Sequence, residues 1–382
     1  MLKRIYVDNY KCLVNFEIEL QPINLFMGVN GSGKSAVFEV LQMLSRILNN
    51  QDHLRDVLNS DSLTRWGDGK KFVQTFELDI EGKAGRYRYH LSLEHQIGIL
   101  PEGQKFRILK ESLTLGGQAL FNFDLGEVQL YRDNSSAGPS FPSDWGRSAL
   151  ASVPARNDNQ KLAAFKKHIE QLLIVHPIPI PKSGSSGLEE EKLDYYARKF
   201  VPWYRYLNDD GRFVRSLSES LETVFEGFES ISTPQKQGVA SFILRFRPNG
   251  QALEFDYNEL SDGQRMLIIL YSLLHLADHG LNDGYPFILC IDEPENAVTL
   301  REIQPWLSQL SEVCHEGRLQ AILISQHPSS INYLGGGRDG CGYWFDRPRV
   351  DSHSLIKRVN ADLDDLSLSQ LMERGWFDPN GS

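Results

Sequence analysis

Residues 28–35 read Gly-Val-Asn-Gly-Ser-Gly-Lys-Ser, and the rest of the chain can be placed relative to them. An apolar stretch, Ile23 to Met27, leads in, and an apolar-periodic one follows with Val37, Phe38, Val40, Leu41 and Leu44. Strand, glycine loop and helix in that order make the phosphate-binding loop pattern in its required setting. Glycines let backbone N–H groups converge on phosphate oxygens with no Cβ in the way. The following helix offers its positive N-terminal end to the anion. On this reading Asn30, Gly31, Ser32 and Gly33 form the cradle. Lys34 reaches the β- and γ-phosphates, and the Ser35 hydroxyl ligates Mg²⁺.

The chain has 382 residues, enough for one large or two ordinary domains. A hydrophobic content of 41% marks a packed protein rather than a disordered one. The net charge of −10 argues against nucleic-acid binding through overall charge, although it leaves a local basic patch open. Cys12, Cys290, Cys314 and Cys341 are scattered, with no Cys-x-x-Cys pair to suggest zinc or a disulfide framework. The N-terminus lacks a signal-peptide core, and no run approaches the roughly 20 apolar residues of a membrane span. The expectation is a cytoplasmic protein with no membrane partner.

Alternation predicts strands over 2–7 and 14–20, with Asn9-Tyr10-Lys11 between them. The helix after the loop should run to about Asn49. Segments 72–80, 85–95, 106–115 and 118–131 alternate again, separated by glycine turns, and predict an antiparallel meander. Residues 133–146 read as a loop. Helical patterns cover 158–175, 189–208 and 211–228, with Pro177, Pro179 and Pro181 and the polar stretch Lys182 to Gly187 as breaks. Residues 239–247 and 251–257 suggest a hairpin.

A second cluster of motifs follows. Leu260-Ser261-Asp262-Gly263-Gln264-Arg265 precedes a strongly apolar helix, Met266 to Leu276. Ser261 there is either a plain N-cap or a group that meets a phosphate. Phe287 to Ile291 is a buried-strand run ending in Asp292-Glu293. It delivers the acidic pair to the sheet edge where α/β nucleotide sites lie. Asp292 would hold Mg²⁺, and Glu293 would orient or deprotonate the attacking water. Leu319 to Ser325 is a further strand, ending in Gln326-His327-Pro328. His327 is either a surface histidine or, from its order after the acidic pair, a γ-phosphate sensor. A closing hairpin is predicted over 341–346 and 353–359, and a last helix over 366–374.

Phosphate loop, Leu-Ser-x-Gly-Gln signature, acidic strand and switch histidine, in this order, resemble the ATP-binding-cassette type of ATPase. Asp262 in place of the commoner glycine, Asn9-Tyr10-Lys11 and the meander resemble its branch of RecF, structural-maintenance-of-chromosomes (SMC) and overcoming-lysogenization-defect proteins. The resemblance spans roughly 1–150 and 238–359. It implies an α/β ATPase head with a mixed, mostly parallel sheet, an N-terminal antiparallel meander and a helical insert. The implied division is 1–150 and 238–382 for the two parts of the head, with 151–237 as insert. It also implies ATP and Mg²⁺ as ligands and a head-to-tail homodimer sandwiching ATP. Lys34, Asp292, Glu293 and His327 of one copy would face Ser261, Gly263 and Gln264 of the other. Asn296 falls at the D-loop of that interface, and Lys11 where relatives place a basic residue near the nucleotide. The family's Q-loop glutamine has no counterpart in 145–156, and Gln74 lies too early.

Functionally, the resemblance implies an ATPase regulating a separately encoded effector, a nuclease or toxin, in bacterial anti-phage defence. The alternative is a RecF-like DNA-binding ATPase in repair, for which Lys161, Lys166, Lys167, Arg198, Lys199 and Arg205 would supply a basic patch or else only a solvated face. A transporter subunit fits the early meander poorly.

Overall fold

The computed structural model describes residues 1–66, 72–95, 106–179, 185–186, 189–236, 239–279, 284–335, 340–359 and 367–374. In chain order the strands begin with β1 (Leu2–Asp8), β2 (Phe16–Glu19), β3 (Ile23–Gly28), β4 (Val73–Gly82), β5 (Gly85–His95), β6 (Phe106–Leu115) and β7 (Gln118–Asp124). Then come β8 (Glu127–Tyr131), β9 (Ala137–Pro142), β10 (Leu172–Val175), β11 (Ser185–Ser186), β12 (Phe228–Ser232), β13 (Gln235–Lys236) and β14 (Val239–Ser241). The last are β15 (Ile243–Phe246), β16 (Leu253–Asp256), β17 (Phe287–Asp292), β18 (Leu319–Ile324), β19 (Cys341–Asp346) and β20 (Leu355–Val359). The helices are α1 (Lys34–Asn49), α2 (Leu54–Val57), α3 (Ala149–Ser152), α4 (Gln160–Glu170) and α5 (Phe200–Leu207). They continue with α6 (Gly211–Val224), α7 (Asp262–Leu274), α8 (Leu300–His315), α9 (Pro328–Leu334) and α10 (Leu368–Glu373).

The expected mixed α/β head is what forms. An antiparallel sheet runs β2-β1-β4-β5-β6-β7-β8-β9, and a second sheet runs β10-β17-β18-β3-β19-β20. In the second, only β20 is antiparallel to its neighbour. β3 and β18 are buried at every position, as parallel strands covered on both faces must be. Period two then splits their side chains. Phe26, Ile288, Cys290 and Ile322 join α1 and the antiparallel sheet in one core. Leu25, Met27, Leu289, Ile291 and Leu323 join α5, α6, α7 and α8 in the other. The Trp306 indole, fully buried, donates to the Leu270 carbonyl at 3.0 Å and ties α8 to α7.

Several segments differ from their sequence reading. The helix predicted over 158–175 ends at Glu170, and Leu172–Val175 becomes β10, paired in parallel with β17. Its apolar, β-branched run gains more at the sheet edge than in a continued helix. The predicted strand 118–131 folds back on itself, because Leu125 and Gly126 both adopt positive φ (46° and 92°) and make a two-residue hairpin turn. Part of the 133–146 loop is the edge strand β9, whose Pro139 and Pro142 suit an edge. Helix is confined to Phe200–Leu207 within 189–208. α6 stops at Val224, and Gly227 at φ 74° turns the chain into β12. The predicted hairpin narrows to β15 and β16. Most of Lys182 to Gly187 lies outside the described residues.

β3, β10, β17, β18 and β19 all end at one edge of the sheet, which fixes where a ligand can sit. Gly28 closes β3 at φ 129°, and a Cβ there would lie 1.9 Å from the Phe345 carbonyl oxygen of β19. Gly28→Ala should therefore lower stability by about 3 kcal/mol or more, read as a drop in the urea midpoint.

Candidate nucleotide-binding site

The loop between β3 and α1 wraps the start of the helix. Gly33, at φ 104°, is the N-cap of α1, and a Cβ on it would meet the Ser354 hydroxyl at 2.4 Å and the Cys12 sulfur at 3.0 Å. The loop is thus pressed between α1 and the two segments that flank it. Lys34 is buried, and its ammonium donates to the carbonyls of Gly28 and Val29, both at 2.8 Å. Burial lowers its pKa, while Asp292 and Glu293 pull it back up. Ser32 is buried with its hydroxyl unpartnered, whereas Ser35 is exposed at the mouth.

Two strands away, β17 presents Asp292. Its carboxylate accepts from the Ser35 hydroxyl at 3.4 Å and is only 8% exposed. Burial raises its pKa, against the opposing effect of His176. Glu293 follows in the left-handed region at φ 53°, a conformation costing a non-glycine residue about 1 kcal/mol. Its amide is tied to the Ile324 carbonyl at 2.9 Å, and its side chain stays exposed.

These groups line one cavity of about 910 Å³. Of the residues expected from sequence, Lys11, Asn30, Gly31, Ser32, Gly33, Lys34, Ser35, Asp292 and Glu293 line it together. Lys11 reaches it in the left-handed region at φ 49° and is ion-paired with Glu39 of α1. Ser35 and Asp292 offer hard oxygen donors side by side. Among the described residues no larger cluster of His, Cys, Asp and Glu exists that could cage a metal. Such a sparse set fits Mg²⁺, which takes its remaining oxygens from phosphates and water.

His327 sits at the end of β18 and caps α9, its Nδ1 accepting from the Ser329 amide at 3.3 Å. That bond leaves Nε2 as the proton-bearing nitrogen. Its own amide donates to the Ser325 hydroxyl at 3.0 Å, which in turn donates to Glu295 at 2.6 Å. Burial raises the pKa of Glu295.

His327, Ser261, Gly263, Gln264 and Asn296 lie outside the cavity lining. Ser261 and Gln264 form a reciprocal capping box at the start of α7, so the plain N-cap reading holds for this chain by itself. A Cβ on Gly263 would lie 2.8 Å from the Ala297 carbonyl oxygen. The signature turn and the Asn296 turn are therefore packed together. Ser261 and Asn296 are exposed there.

The family described as “AAA domain, putative AbiEii toxin, Type IV TA system” matches residues 23–332. The chain belongs to this family. Its fold is similar to that of solved SMC heads. An SMC head bound to the C-winged helix domain of ScpA matches at 12% identity with a TM-score of 0.56, covering 94% of this chain and 98% of that one. The SMC head domain from Thermotoga maritima matches at 14% identity and a TM-score of 0.51, covering 94% and 99%. An SMC head with an extended coiled coil, bound to the C-terminal domain of ScpA and derived from Pyrococcus furiosus, matches at 11% and 0.52, covering 97% and 98%. No curated protein matches. As a member of this AAA-domain family the chain is an ATPase, and its fold is similar to that of the SMC heads. Among the described residues no helix is long and apolar enough to cross a membrane.

Sequence reasoning missed His176 in this AAA-family chain. It follows β10, whose Val175 pairs with Ile291, and its Nδ1 lies 3.8 Å from the Asp292 carboxylate without a hydrogen-bond partner. The run Leu172-Leu173-Ile174-Val175 before His-Pro carried the signal, but the helical reading of 158–175 absorbed it. Gln74 is far from this role. It is buried, donating to the carbonyls of Asn9 and Ser62 and facing His95.

Because burial lifts the folded pKa of Asp292 above its unfolded value, ionising it costs the folded state. That cost is absent in acid and sets in as pH rises through and beyond the ordinary carboxylate range. Asp292→Asn should therefore raise the thermal midpoint of the ligand-free protein at pH 7 and leave it unchanged near pH 3, as read by differential scanning fluorimetry.

Proposed function

We propose that this ATPase is a nucleotide-controlled dimerisation switch acting on a separately encoded effector. ATP binds with its triphosphate against residues 30–35, with Lys34 on the β- and γ-phosphates. Ser35 and Asp292 hold Mg²⁺, which neutralises phosphate charge when bound. Glu293 orients and deprotonates the attacking water, and the Nε2 proton of His327 is donated to the γ-phosphate. A second copy closes over this half-site with Ser261, Gly263 and Gln264, while Asn296 crosses between the copies.

One observation carries this reading. The phosphate-loop groups and the acidic pair share one cavity, while Ser261, Gly263, Gln264 and Asn296 lie outside its lining, with Ser261 and Asn296 exposed. Signature residues that stay out of their own chain's cavity suit a two-fold, head-to-tail pairing. The capping box does not compete with this role, because a capped helix start still offers its positive end to a phosphate.

The toxin-system description of the family supports an effector that is a nuclease or toxin, and a setting in bacterial anti-phage defence. The SMC heads that share the fold are described with ScpA domains docked, which supports a protein partner here too. Residues 151–237 are proposed as the insert that individualises the head, though β10 makes them part of the central sheet as well.

The DNA-binding alternative loses its patch. Lys161 and Lys166 donate to backbone carbonyls, and Lys167, Arg198, Lys199 and Arg205 pair with Glu170, Asp194, Glu190 and Glu189. Four of the six cations are thereby already paired with carboxylates, which lowers the net positive charge of this face.

Glu293→Gln should bind ATP, slow hydrolysis by about 100-fold or more and accumulate as dimer in light scattering with ATP and Mg²⁺. Turnover at the wild-type rate would remove Glu293 as the base. Lys34→Ala should bind no ATP in titration calorimetry. Pull-down with the products of neighbouring genes, with and without ATP, tests the effector, and a fully active lone protein would refute it.

A further inference from the structure

The cavity reaches well beyond its acidic end. In the strand order β17-β18-β3-β19, Asp292 closes a strand two places to one side of β3, and Arg347 follows a strand one place to the other side. At about 4.8 Å per strand the two ends are roughly 14 Å apart. A triphosphate held at Lys34, Ser35 and Asp292 therefore leaves the far end to another part of the ligand. Beyond the phosphate loop and the acidic pair, the lining includes Asp61, Arg65, Trp66, Arg347, Val350 and Asp351.

We propose that Trp66 and Arg347 form the nucleobase subsite of this cavity, a stacked indole and guanidinium that receive a purine base. The proposal rests on the nucleotide reading above and assigns the part of the ligand that the phosphate loop does not touch.

The pair is built rather than incidental. The Arg347 guanidinium lies 4.5 Å from the Trp66 ring centroid. It is fixed by carbonyl oxygens of Ser352 at 2.9 Å, of Val350, and of Gly31 in the phosphate loop at 3.4 Å. Asp351, which also lines the cavity and pairs with Arg349, feels the Arg347 charge as well. The guanidinium covers one face of the Trp66 indole, so a base would stack on an outer face of the pair. The bond to Gly31 connects the base end directly to the phosphate end. The Trp66 indole N–H is buried without a partner, so the ring is placed by its faces and not by its edge. Every base has a π-face, and stacking on an aromatic or guanidinium plane is the ordinary way to hold one without reading its edge.

Two ligands separate the base from the phosphates: ATP and inorganic tripolyphosphate, each with Mg²⁺, titrated calorimetrically into the full chain. The wild type should bind ATP more tightly than tripolyphosphate. Trp66→Ala should weaken ATP at least about tenfold and leave tripolyphosphate unchanged. Trp66→Phe keeps a stacking face and should hold ATP within about threefold of wild type. Unchanged tripolyphosphate binding doubles as the check that each variant is folded. Normal ATP affinity in Trp66→Ala overturns the proposal. If the wild type binds neither ligand, the nucleotide reading fails first and the subsite falls with it.

Discussion

β3 lies between β18 and β19, and almost everything functional hangs on that placement. Its neighbours hold it so closely that Gly28 has no room for a Cβ beside the Phe345 carbonyl. The chain must therefore leave the sheet at that residue, and the loop to α1 must open at the same edge where Asp292, Ile324 and Asp346 end their strands. Any shift of register here would move the phosphate loop away from the acidic pair. The fully buried pattern of β3 and β18 makes such a shift costly, because a one-residue slip exchanges the two cores.

The same edge concentrates electrostatic cost. Lys34 and Asp292 are both buried, and burial penalises the charged form of each. Glu293 is held at positive φ, and Glu295 is half-buried, one carboxylate oxygen accepting from Ser325 and the other buried without a partner. None of this stabilises the fold. Groups left poorly satisfied in this way cluster at functional sites. His327 is joined to Glu295 through Ser325, which links the end of β18 to the turn bearing Asn296.

How much of this could be read beforehand depended on whether the signal was local. The phosphate loop and α1, the acidic end of β17 and the alternation of the meander are local patterns, and the helix ends at Asn49 as its periodicity implied. β10 was not legible, because four apolar residues after a helix take their structure from β17, more than a hundred residues away. His176 was lost with it. Trp66 and Arg347 carry no motif at all; only the folding of the 60s loop and the end of β19 onto one cavity brings them together. The capping box at Ser261 shows the opposite limit. Its local reading is correct for the single chain, and the second use proposed for it requires another copy.

The central claim is that each hydrolytic site is completed by a second copy, and mixing two inactive variants tests it most directly. Glu293→Gln disables the site on its own cavity, and Ser261→Arg disables the site on its neighbour's. A mixed dimer holds one site with neither lesion. An equimolar mixture should recover ATP hydrolysis toward about a quarter of the wild-type rate, from the random pairing of two kinds of protomer. A mixture no more active than the two variants measured separately would contradict the composite site.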